Sequence, residues 1–366
     1  MKPKQDQYKV IQWATGGLGV KCIRAMQEVP YLELVGAWVN SDAKAGRDAG
    51  EIAGVGKLGV IATNDIDEIC ALDADVVHYA APPIPVHIDY FCRLLESGKN
   101  VISATHTCFA DPESVERIEA AAQKGNASFY ASGIHPDWAA SRLVLMASAL
   151  CHNINKVSVI EQNSHMLAFG MSEAVMFDFL HFGAPPELAQ EPSRAGMAFF
   201  RVFSHVIRGL AKGMGYEIEN IRYAQEVALA TEDMADPNYD RTVCKGTIGG
   251  WRITVTGAIG GKDVIEFVSY HLAQPHGLSP DWGHYDEASY AVEIDGEPPA
   301  RICWTPMKGE MPIAEACFEA TAMNNLNAIP GICAAPAGIV NVFDIPLTYS
   351  YGRLNLSPRS RLIAES

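Results

Sequence analysis

Short apolar runs alternate with amphipathic segments over the first 133 residues of the chain. The runs have the length and the branched or aromatic composition of buried strands, and the segments between them space their apolar positions as one face of a helix. Strands that alternate with helices in this way are typical of βαβ units around a parallel sheet. The predicted strands are residues 8–15, 32–40, 75–81, 100–105 and 127–133, and the predicted helices are residues 20–29, 86–99 and 112–125.

The pattern changes after about residue 150, where polar and apolar positions alternate with period two. Together with turn signals at Gly260-Gly261 and Asp295-Gly296, this alternation predicts a mostly antiparallel sheet with helices, an α+β arrangement. Helices are predicted over 172–183, 194–215 and 312–327, the last of them ending before Pro330. The predicted strands are residues 156–165, 222–231, 242–261, 263–273, 289–296 and 299–306.

The composition is that of a folded, acidic protein. Hydrophobic residues make up 48% and charged residues 19% of the 366 positions, which excludes a disordered or collagen-like chain. The formal net charge is −15, from 28 Lys and Arg against 43 Asp and Glu. Nucleic-acid binders and proteins that dock on anionic membranes normally need a basic surface, so this charge argues against both classes. A soluble enzyme or a small-molecule binder is the class that remains.

The expected compartment is the cytoplasm. The first ten residues contain no apolar region of a secretory signal, and no uncharged apolar run reaches the about 18 residues of a spanning helix. Nine cysteines are scattered along the chain without a Cys-x-x-Cys pair, which is typical of reduced thiols in a cytosol.

A glycine-rich turn joins the first predicted strand to the first predicted helix. Its sequence is Ala14-Thr15-Gly16-Gly17-Leu18-Gly19, with Ala14 where the first glycine of a dinucleotide-binding loop usually stands. In such a loop the glycines let the backbone approach a pyrophosphate, which rests on the free N–H groups of the helix N-terminus. A second strand follows about 20 residues further on, and this context favours a dinucleotide loop over an ordinary glycine turn.

The end of the second strand indicates which dinucleotide binds. A carboxylate there would hold the ribose 2′-OH of NAD, whereas nearby cations would accommodate the 2′-phosphate of NADP. This chain has Asn40 and Ser41 at the tip, with Lys44 and Arg47 close behind. We therefore expect NADP(H) to be preferred, while Asp42 keeps NAD(H) possible.

The nicotinamide ring of such a cofactor lies over the carboxyl ends of the parallel strands. An asparagine near the C-terminus, Asn325 or Asn327, could hold the substrate or the carboxamide of this ring; the alternative is that these residues cap a helix before Pro330. The further cofactor contacts predicted from these positions are Ala80, Ala81, Pro82, Ser103, Thr105 and Asn327.

Hydride transfer to a C=O or C=N carbon needs a proton donor beside the developing anion. Histidine suits this task because its unperturbed pKa is about 6.5. His106, at the end of the fourth strand, is the predicted donor; the alternative is that it bonds a backbone carbonyl and shapes the pocket. His135 and Asp137 form a second predicted catalytic pair, in which Asp137 orients the ring, and the alternative for Asp137 is a helix N-cap.

The substrate pocket is expected to be largely apolar, because no arginine cluster suggests a carboxylate-rich or phosphate-rich substrate. Trp138 and His165 have alternatives as ordinary core residues. No metal is expected, since the histidines are irregularly spaced, and no Gly-x-Ser-x-Gly nucleophile elbow occurs. The predicted substrate contacts are His106, Trp138, Asn163, His165, Met166 and Phe169.

Two segments of the chain resemble those of a known family. Residues 132–151 are similar to a Gly-Val-Asn-Pro-Gly-Phe segment before a helix, and residues 320–340 to an Asn-Ala-Ile-Pro segment, of the native amine dehydrogenases and 2,4-diaminopentanoate dehydrogenases. The N-terminal half of that family resembles dihydrodipicolinate reductase, whose own His-His-x-x-Lys substrate motif is absent here. The resemblance implies a Rossmann domain, a substrate domain, a homodimer and NAD(P)H-linked interconversion of a carbonyl or imine with an amine.

The chain departs from this family at the catalytic acid. The amine-forming members carry a glutamate just after the fourth strand, where this sequence has residues 105–109 (Thr-His-Thr-Cys-Phe) and no carboxylate before Asp111. That glutamate handles the proton of the amine, so its absence argues against the use of free ammonia and leaves hydride transfer intact. The alternatives are therefore a carbonyl or imine reductase without ammonia use and a non-catalytic NAD(P)-binding sensor.

These inferences predict an α/β protein, with a Rossmann parallel-sheet domain and an α+β substrate domain that has a mostly antiparallel sheet. The expected NAD(P)-binding domain is 1–150, and the expected substrate and dimerisation domain is 151–310. Residues 311–366 are expected to form a helix and tail that return to the Rossmann domain.

Overall fold

The computed structural model describes residues 5–81, 87–104, 112–166, 173–189, 193–284, 286, 288–307, 311, 313–351 and 353, without the side chains of His135 and Pro136. By its internal contacts the chain divides into two compact units. The first unit comprises residues 1–137 and 318–366, and the second unit comprises residues 138–317.

Helices and strands alternate regularly up to residue 131 and less regularly beyond it. The strands are β1 Tyr8–Trp13, β2 Leu32–Trp38, β3 Ala62–Thr63, β4 Val76–Tyr79, β5 Asn100–Ser103, β6 Ser128–Ala131, β7 His152–Ser164, β8 Asn220–Ala230, β9 Met234–Ala235, β10 Thr242–Val243, β11 Ile248–Ile259, β12 Lys262–Leu272, β13 Leu278–Ser279, β14 Ala288–Glu297, β15 Ala300–Trp304 and β16 Gly338–Val340. The α-helices are α1 Gly17–Met26, α2 Ala49–Ala53, α3 Ile66–Ala71, α4 His87–Glu96, α5 Pro112–Gly125, α6 Leu143–Ser148, α7 Arg194–Gly213 and α8 Ile313–Ile332, with π-helical turns at Ile134–Arg142 and Ala174–Phe179.

The first unit contains a parallel sheet of seven strands among the described residues. Its order is β16-β6-β5-β4-β1-β2-β3, and every neighbouring pair runs parallel. Without the added edge strand β16, this is the 3-2-1-4-5-6 order of the Rossmann fold. The predicted Rossmann parallel sheet is therefore confirmed.

Both faces of this sheet are buried, which explains why its strands are apolar throughout. Val10 of β1 faces a core that includes Ile23 of α1 and Leu326 of α8. The next residue, Ile11, faces the opposite core, which includes Phe91 of α4. The loops at the carboxyl ends of β1, β2 and β4 are thereby held on a rigid platform.

The second unit contains a mixed sheet in the order β13-β8-β11-β12-β7-β14-β15. Its neighbours are antiparallel except β12 and β7, which run parallel. Alternate residues such as Val159 and Phe267 pack against Phe203 and Ile207 of α7. The predicted α+β unit with a mostly antiparallel sheet is confirmed. The turn predicted at Asp295-Gly296 is wrong, because β14 continues through both residues and pairs with β7 as far as Glu297.

The longest helices of the described residues, α7 and α8, have 20 residues each. The prediction that the last helix ends before Pro330 is wrong, since α8 contains Pro330 and ends at Ile332. Proline removes one backbone hydrogen bond of the helix. Leu326, Ile329 and Ile332 are fully buried around it, and their packing offsets that loss. Within the described ranges, no helix combines the length and apolarity needed to cross a membrane.

Candidate functional site

The glycine-rich turn between β1 and α1 has the geometry of a dinucleotide loop. Ala14 adopts φ +68°, the left-handed conformation that glycine adopts most easily. A methyl group added to Gly19 would lie 2.0 Å from the Ala14 carbonyl oxygen, so only glycine lets the helix approach the strand this closely. Gln12 Nε2 donates to the same oxygen across 3.0 Å.

The N-terminus of α1 is open for an anion. Its N-cap, Gly16, provides no side-chain hydrogen bond, and its first turn contains no acidic residue. Methyl groups added to Gly16 or Gly17 would meet no atom of the described residues within 4 Å. Backbone N–H groups at the start of a helix, facing open space, suit the pyrophosphate of a dinucleotide. The residues present therefore fit such a group.

Lys44 lies directly beside this loop. Its Nζ donates to the Thr15 carbonyl oxygen across 3.0 Å and to Thr15 Oγ1 across 3.3 Å. Asn40, Ser41 and Arg47 are exposed at the end of β2. Asp42 is exposed as well, and its carboxylate accepts a hydrogen bond from Asn64 Nδ2 across 2.7 Å.

Aromatic side chains line the carboxyl ends of β1, β2 and β4, and sequence reasoning missed them. Trp13 and Trp38 are stacked with their ring centroids 4.2 Å apart, and Tyr79 stacks on Trp13 at 4.9 Å. The indole N–H groups of both tryptophans are buried with no hydrogen-bond partner among the described residues. The sequence could have indicated them, because each tryptophan lies near the end of a predicted strand. In the structure Trp13 and Trp38 are register partners at the ends of β1 and β2.

The remaining predicted cofactor residues of the first unit surround this edge of the sheet. Ala80 continues β4, where its N–H donates to the Trp13 carbonyl oxygen across 3.1 Å. Ala81 and Ser103 are buried at the ends of their segments. Asn327 is buried inside α8, so the alternative that it caps the helix is wrong. Pro82 and Thr105 lie outside the described residues.

The structure describes only some of the predicted catalytic side chains. His106 lies outside the described residues, as does the side chain of His135. Asp137 lies inside the π-helical turn Ile134–Arg142, so the N-cap alternative is wrong for it. Its buried carboxylate accepts from Tyr130 Oη at 2.7 Å and from Asn324 Nδ2 at 3.0 Å.

The inner face of the second unit's sheet changes from apolar to polar along two parallel strands. Val157 and Val159 of β7 are followed on the same face by Glu161 and Asn163. On β12 the matching positions are Ser269, which pairs with Glu161, and His271, which pairs with Asn163. All four polar side chains are buried. A polar layer inside a core is typical of a functional site, and the period-two pattern of these strands could have revealed it.

His165 joins this polar layer through hydrogen bonds. Its Nε2 lies 2.9 Å from His271 Nδ1, and His271 Nε2 lies 2.9 Å from Ser269 Oγ, which donates to Glu161 Oε1 across 2.5 Å. Burial, together with the neighbouring His271 ring, lowers the pKa of His165 well below its usual value, against the opposite influence of Glu161. His165 is therefore neutral at neutral pH.

The other predicted substrate residues lie in different surroundings. Trp138 is half-buried and meets Trp304 edge to face, with the centroids 5.9 Å apart. Met166 is buried in an apolar cluster that includes Phe177 and Trp251. Phe169 lies outside the described residues. In the part of the chain that the structure describes, no three His, Cys, Asp or Glu residues are grouped to hold a metal ion.

Two family models match the chain in succession. The model "Dihydrodipicolinate reductase, N-terminus" matches residues 10–133, and "2,4-diaminopentanoate dehydrogenase C-terminal domain" matches residues 139–353. The amine dehydrogenase of Streptomyces virginiae is 30% identical over 373 residues, which cover 94% of this chain and 98% of that protein. The 4-hydroxy-tetrahydrodipicolinate reductase of Brucella abortus is 34% identical over 116 residues, covering 31% of this chain and 41% of that enzyme.

Solved structures show the same fold. An amine dehydrogenase from Mycobacterium smegmatis superimposes with a TM-score of 0.70 at 19% identity, covering 96% of this chain and 99% of that one. A scyllo-inositol dehydrogenase from Lactobacillus casei, solved with NAD(H) and scyllo-inositol, gives a TM-score of 0.51 at 17% identity. The match covers 88% of this chain and 89% of that one. The Rossmann sheet, the glycine-rich loop and the similarity to known dehydrogenases together identify this protein as an NAD(P)-dependent dehydrogenase. The chain belongs to the amine dehydrogenase and 2,4-diaminopentanoate dehydrogenase family, as its sequence predicted.

Proposed function

We propose that this dehydrogenase transfers a hydride from NAD(P)H to the C=O or C=N carbon of a small, largely apolar substrate. The observation that carries the proposal is the open, uncapped N-terminus of α1 behind Gly16, within a chain similar over 94% of its length to an amine dehydrogenase. The cofactor supplies the hydride, and the protein binds and orients both partners. A homodimer is part of the proposal, from the family resemblance.

The proposed cofactor contacts are those predicted from the sequence. The backbone of residues 15–19 meets the pyrophosphate, and Lys44 with Arg47 meets a 2′-phosphate, which supports a preference for NADP(H) over NAD(H). The proposed substrate contacts include Asn163 and His165, because both belong to the buried polar layer of the second unit. Asn163 Oδ1 is buried there with no partner among the described residues, as expected of a group that awaits a ligand.

A substrate panel tests the proposed reaction. The protein is incubated with NADPH or NADH and a set of small ketones and cyclic imines, with and without ammonium, while the absorbance of the reduced cofactor is followed. We expect oxidation of the cofactor without ammonium, because the glutamate that handles the amine proton is absent after β5. Oxidation only with ammonium would instead show reductive amination. Saturable binding without turnover across the panel would favour the NAD(P)-binding sensor.

Removing the two cations at the end of β2 tests the cofactor preference. The double variant Lys44→Ala, Arg47→Ala should raise the Kd for NADPH by about 10–100-fold and the Kd for NADH by less than about threefold. The reason is that only NADPH carries the 2′-phosphate. Lys57→Ala removes an exposed cation from the same unit and is the control. Equal weakening of both dinucleotides would contradict the assignment.

His106 remains the proposed proton donor, and its replacement separates chemistry from binding. His106→Ala should lower kcat by about 100-fold or more and leave the Kd for NADPH nearly unchanged. His152→Ala, at a histidine whose side chain is 73% exposed, is the matched control. A variant that turns over at the rate of the parent enzyme would remove His106 from the mechanism.

A further inference from the structure

Three buried polar side chains connect the dinucleotide loop with the C-terminal helix. Gln12 of β1, His78 of β4 and Asn325 of α8 are each 0% exposed, and they form a hydrogen-bonded row that we call the strut. His78 and Asn325 are 247 positions apart in the sequence, yet both belong to the first unit. One end of the strut is the carbonyl oxygen of Ala14, the residue with positive φ at the start of the loop.

The backbone determines the direction of every bond in the strut. Gln12 Nε2 faces the carbonyl oxygens of Trp13 and Ala14, both at 3.0 Å, so this nitrogen donates and Gln12 Oε1 must accept. His78 Nδ1 therefore carries a hydrogen and donates it to Gln12 Oε1 across 2.9 Å. In the neutral ring Nε2 is then an acceptor, and Asn325 Nδ2 donates to it across 2.8 Å. Reversing any member would bring two donors or two acceptors together.

The strut keeps this hydrogen-bond pattern at neutral pH. Burial lowers the pKa of His78 to about 4, so the ring stays neutral and Nε2 stays an acceptor above that pH. The titratable group facing it from α1 is Cys22, whose Sγ lies 3.8 Å from Nε2. Burial raises the pKa of the Cys22 thiol well above its usual value, so this group is neutral as well.

The loop geometry that the strut reaches is a strained one. A non-glycine residue with φ near +68° is costly, and Ala14 adopts this conformation where the loop motif usually has glycine. Its carbonyl is confined between the Cα of Gly19 and the amide of Gln12. Buried amide and imidazole groups destabilise a fold unless their hydrogen bonds are made. Three such groups in one apolar core therefore indicate a structural role.

We propose that His78 and Asn325 are positioning residues for dinucleotide binding. They orient the Gln12 amide, which holds the Ala14 carbonyl and so maintains residues 14–19 in the conformation that presents N–H groups to the pyrophosphate. The C-terminal helix α8 is thereby a determinant of cofactor affinity, although the strut lies behind the loop and its Asn325 needs no contact with the cofactor. This inference rests on the proposed cofactor site.

A double-mutant cycle tests the strut in the full-length protein. Gln12→Leu should raise the Kd for NADPH about 30-fold and Asn325→Leu about tenfold, because each removes a donor that fixes the next residue. The Kd of the double variant should match that of Gln12→Leu alone within about twofold, because the first substitution already interrupts the hydrogen bonds of the strut. Ile329→Val is the control: it removes a methyl group from the buried face of α8 without touching the strut, and it should lower the Tm but leave the Kd unchanged.

A second measurement needs no ligand. Hydrogen exchange of the amides of residues 14–19, followed by mass spectrometry, should be faster in Asn325→Leu than in the parent protein and unchanged in Ile329→Val. An unchanged Kd and unchanged loop exchange in Asn325→Leu would overturn the inference, and so would independent, multiplying effects in the double variant. A parent protein that binds neither NADPH nor NADH would contradict the proposed function instead, and the exchange measurement would still decide on the strut.

Discussion

Gly19→Ala is expected to raise the Kd for NADPH by at least about 100-fold, the largest effect we predict for a single methyl group. The new carbon would lie 2.0 Å from the Ala14 carbonyl oxygen and 3.0 Å from its carbon. Both are backbone atoms, so no side-chain rotation can relieve the overlap. The loop has to move away from α1, and the N–H groups at the helix N-terminus then lose their alignment with the pyrophosphate. The Tm should fall as well, because this is a packing defect.

Gly16→Ala separates an effect on cofactor affinity from an effect on stability. A methyl group at Gly16 meets no atom within 4 Å among the described residues, and the residue has an ordinary φ of −78°. The Tm should therefore stay within about 1–2 °C of the parent value. The Kd for NADPH should nevertheless rise by about tenfold or more, because the methyl group occupies the space that the pyrophosphate needs.

Calorimetric titration with NADPH and thermal unfolding check both variants against a control outside the loop. Gly209→Ala, in α7, also meets no atom within 4 Å among the described residues and should change neither the Kd nor, beyond about 1 kcal/mol, the stability. Parent-like affinity of both Gly16→Ala and Gly19→Ala would refute the dinucleotide loop. A fall in Tm for Gly16→Ala would show that the space above the loop is filled by protein.

The sequence predicts the architecture well because local patterns specify it. Strands buried on both faces read as continuous apolar runs, strands buried on one face alternate, and helices between parallel strands leave little choice of topology. The glycine-rich turn is equally local, since residues 14–19 form the whole loop. The Rossmann sheet and the mostly antiparallel sheet could therefore both be predicted, and the family resemblance was carried by two contiguous segments.

The polar interior could not be predicted in the same way, because its partners are distant in sequence. His78 reads as one polar residue in an apolar strand, and only the fold brings Asn325 of α8 to its ring. The continuation of α8 through Pro330 follows from burial on all sides, which overrides the local preference of proline. Asp137 looked like a cap because helix ends are recognised locally, whereas its actual partners come from β6 and α8.

Asp137→Ala should destabilise the first unit by about 3–5 kcal/mol, the largest stability effect that we predict. The carboxylate is 6% exposed and accepts from Tyr130 Oη, from Asn324 Nδ2 and, at 3.4 Å, from Ser132 Oγ. Alanine removes these bonds together and leaves a cavity where charged oxygens had organised the donors. A loss of this size should lower the Tm by roughly 10 °C, measured by thermal unfolding in the absence of cofactor.

Tyr130→Phe is the matched control, since it removes one of these bonds and keeps the carboxylate. Its cost should be about 1.5–3 kcal/mol, the value of a hydrogen bond to a charged group. The proposed catalytic pairing of Asp137 with His135 adds a kinetic signature that a structural role lacks. Well below its Tm, Asp137→Ala should then lower kcat by about 100-fold or more, whereas Tyr130→Phe should not. Equal kcat values in both folded variants would contradict the catalytic pairing and would leave Asp137 as a structural residue that joins β6 to α8.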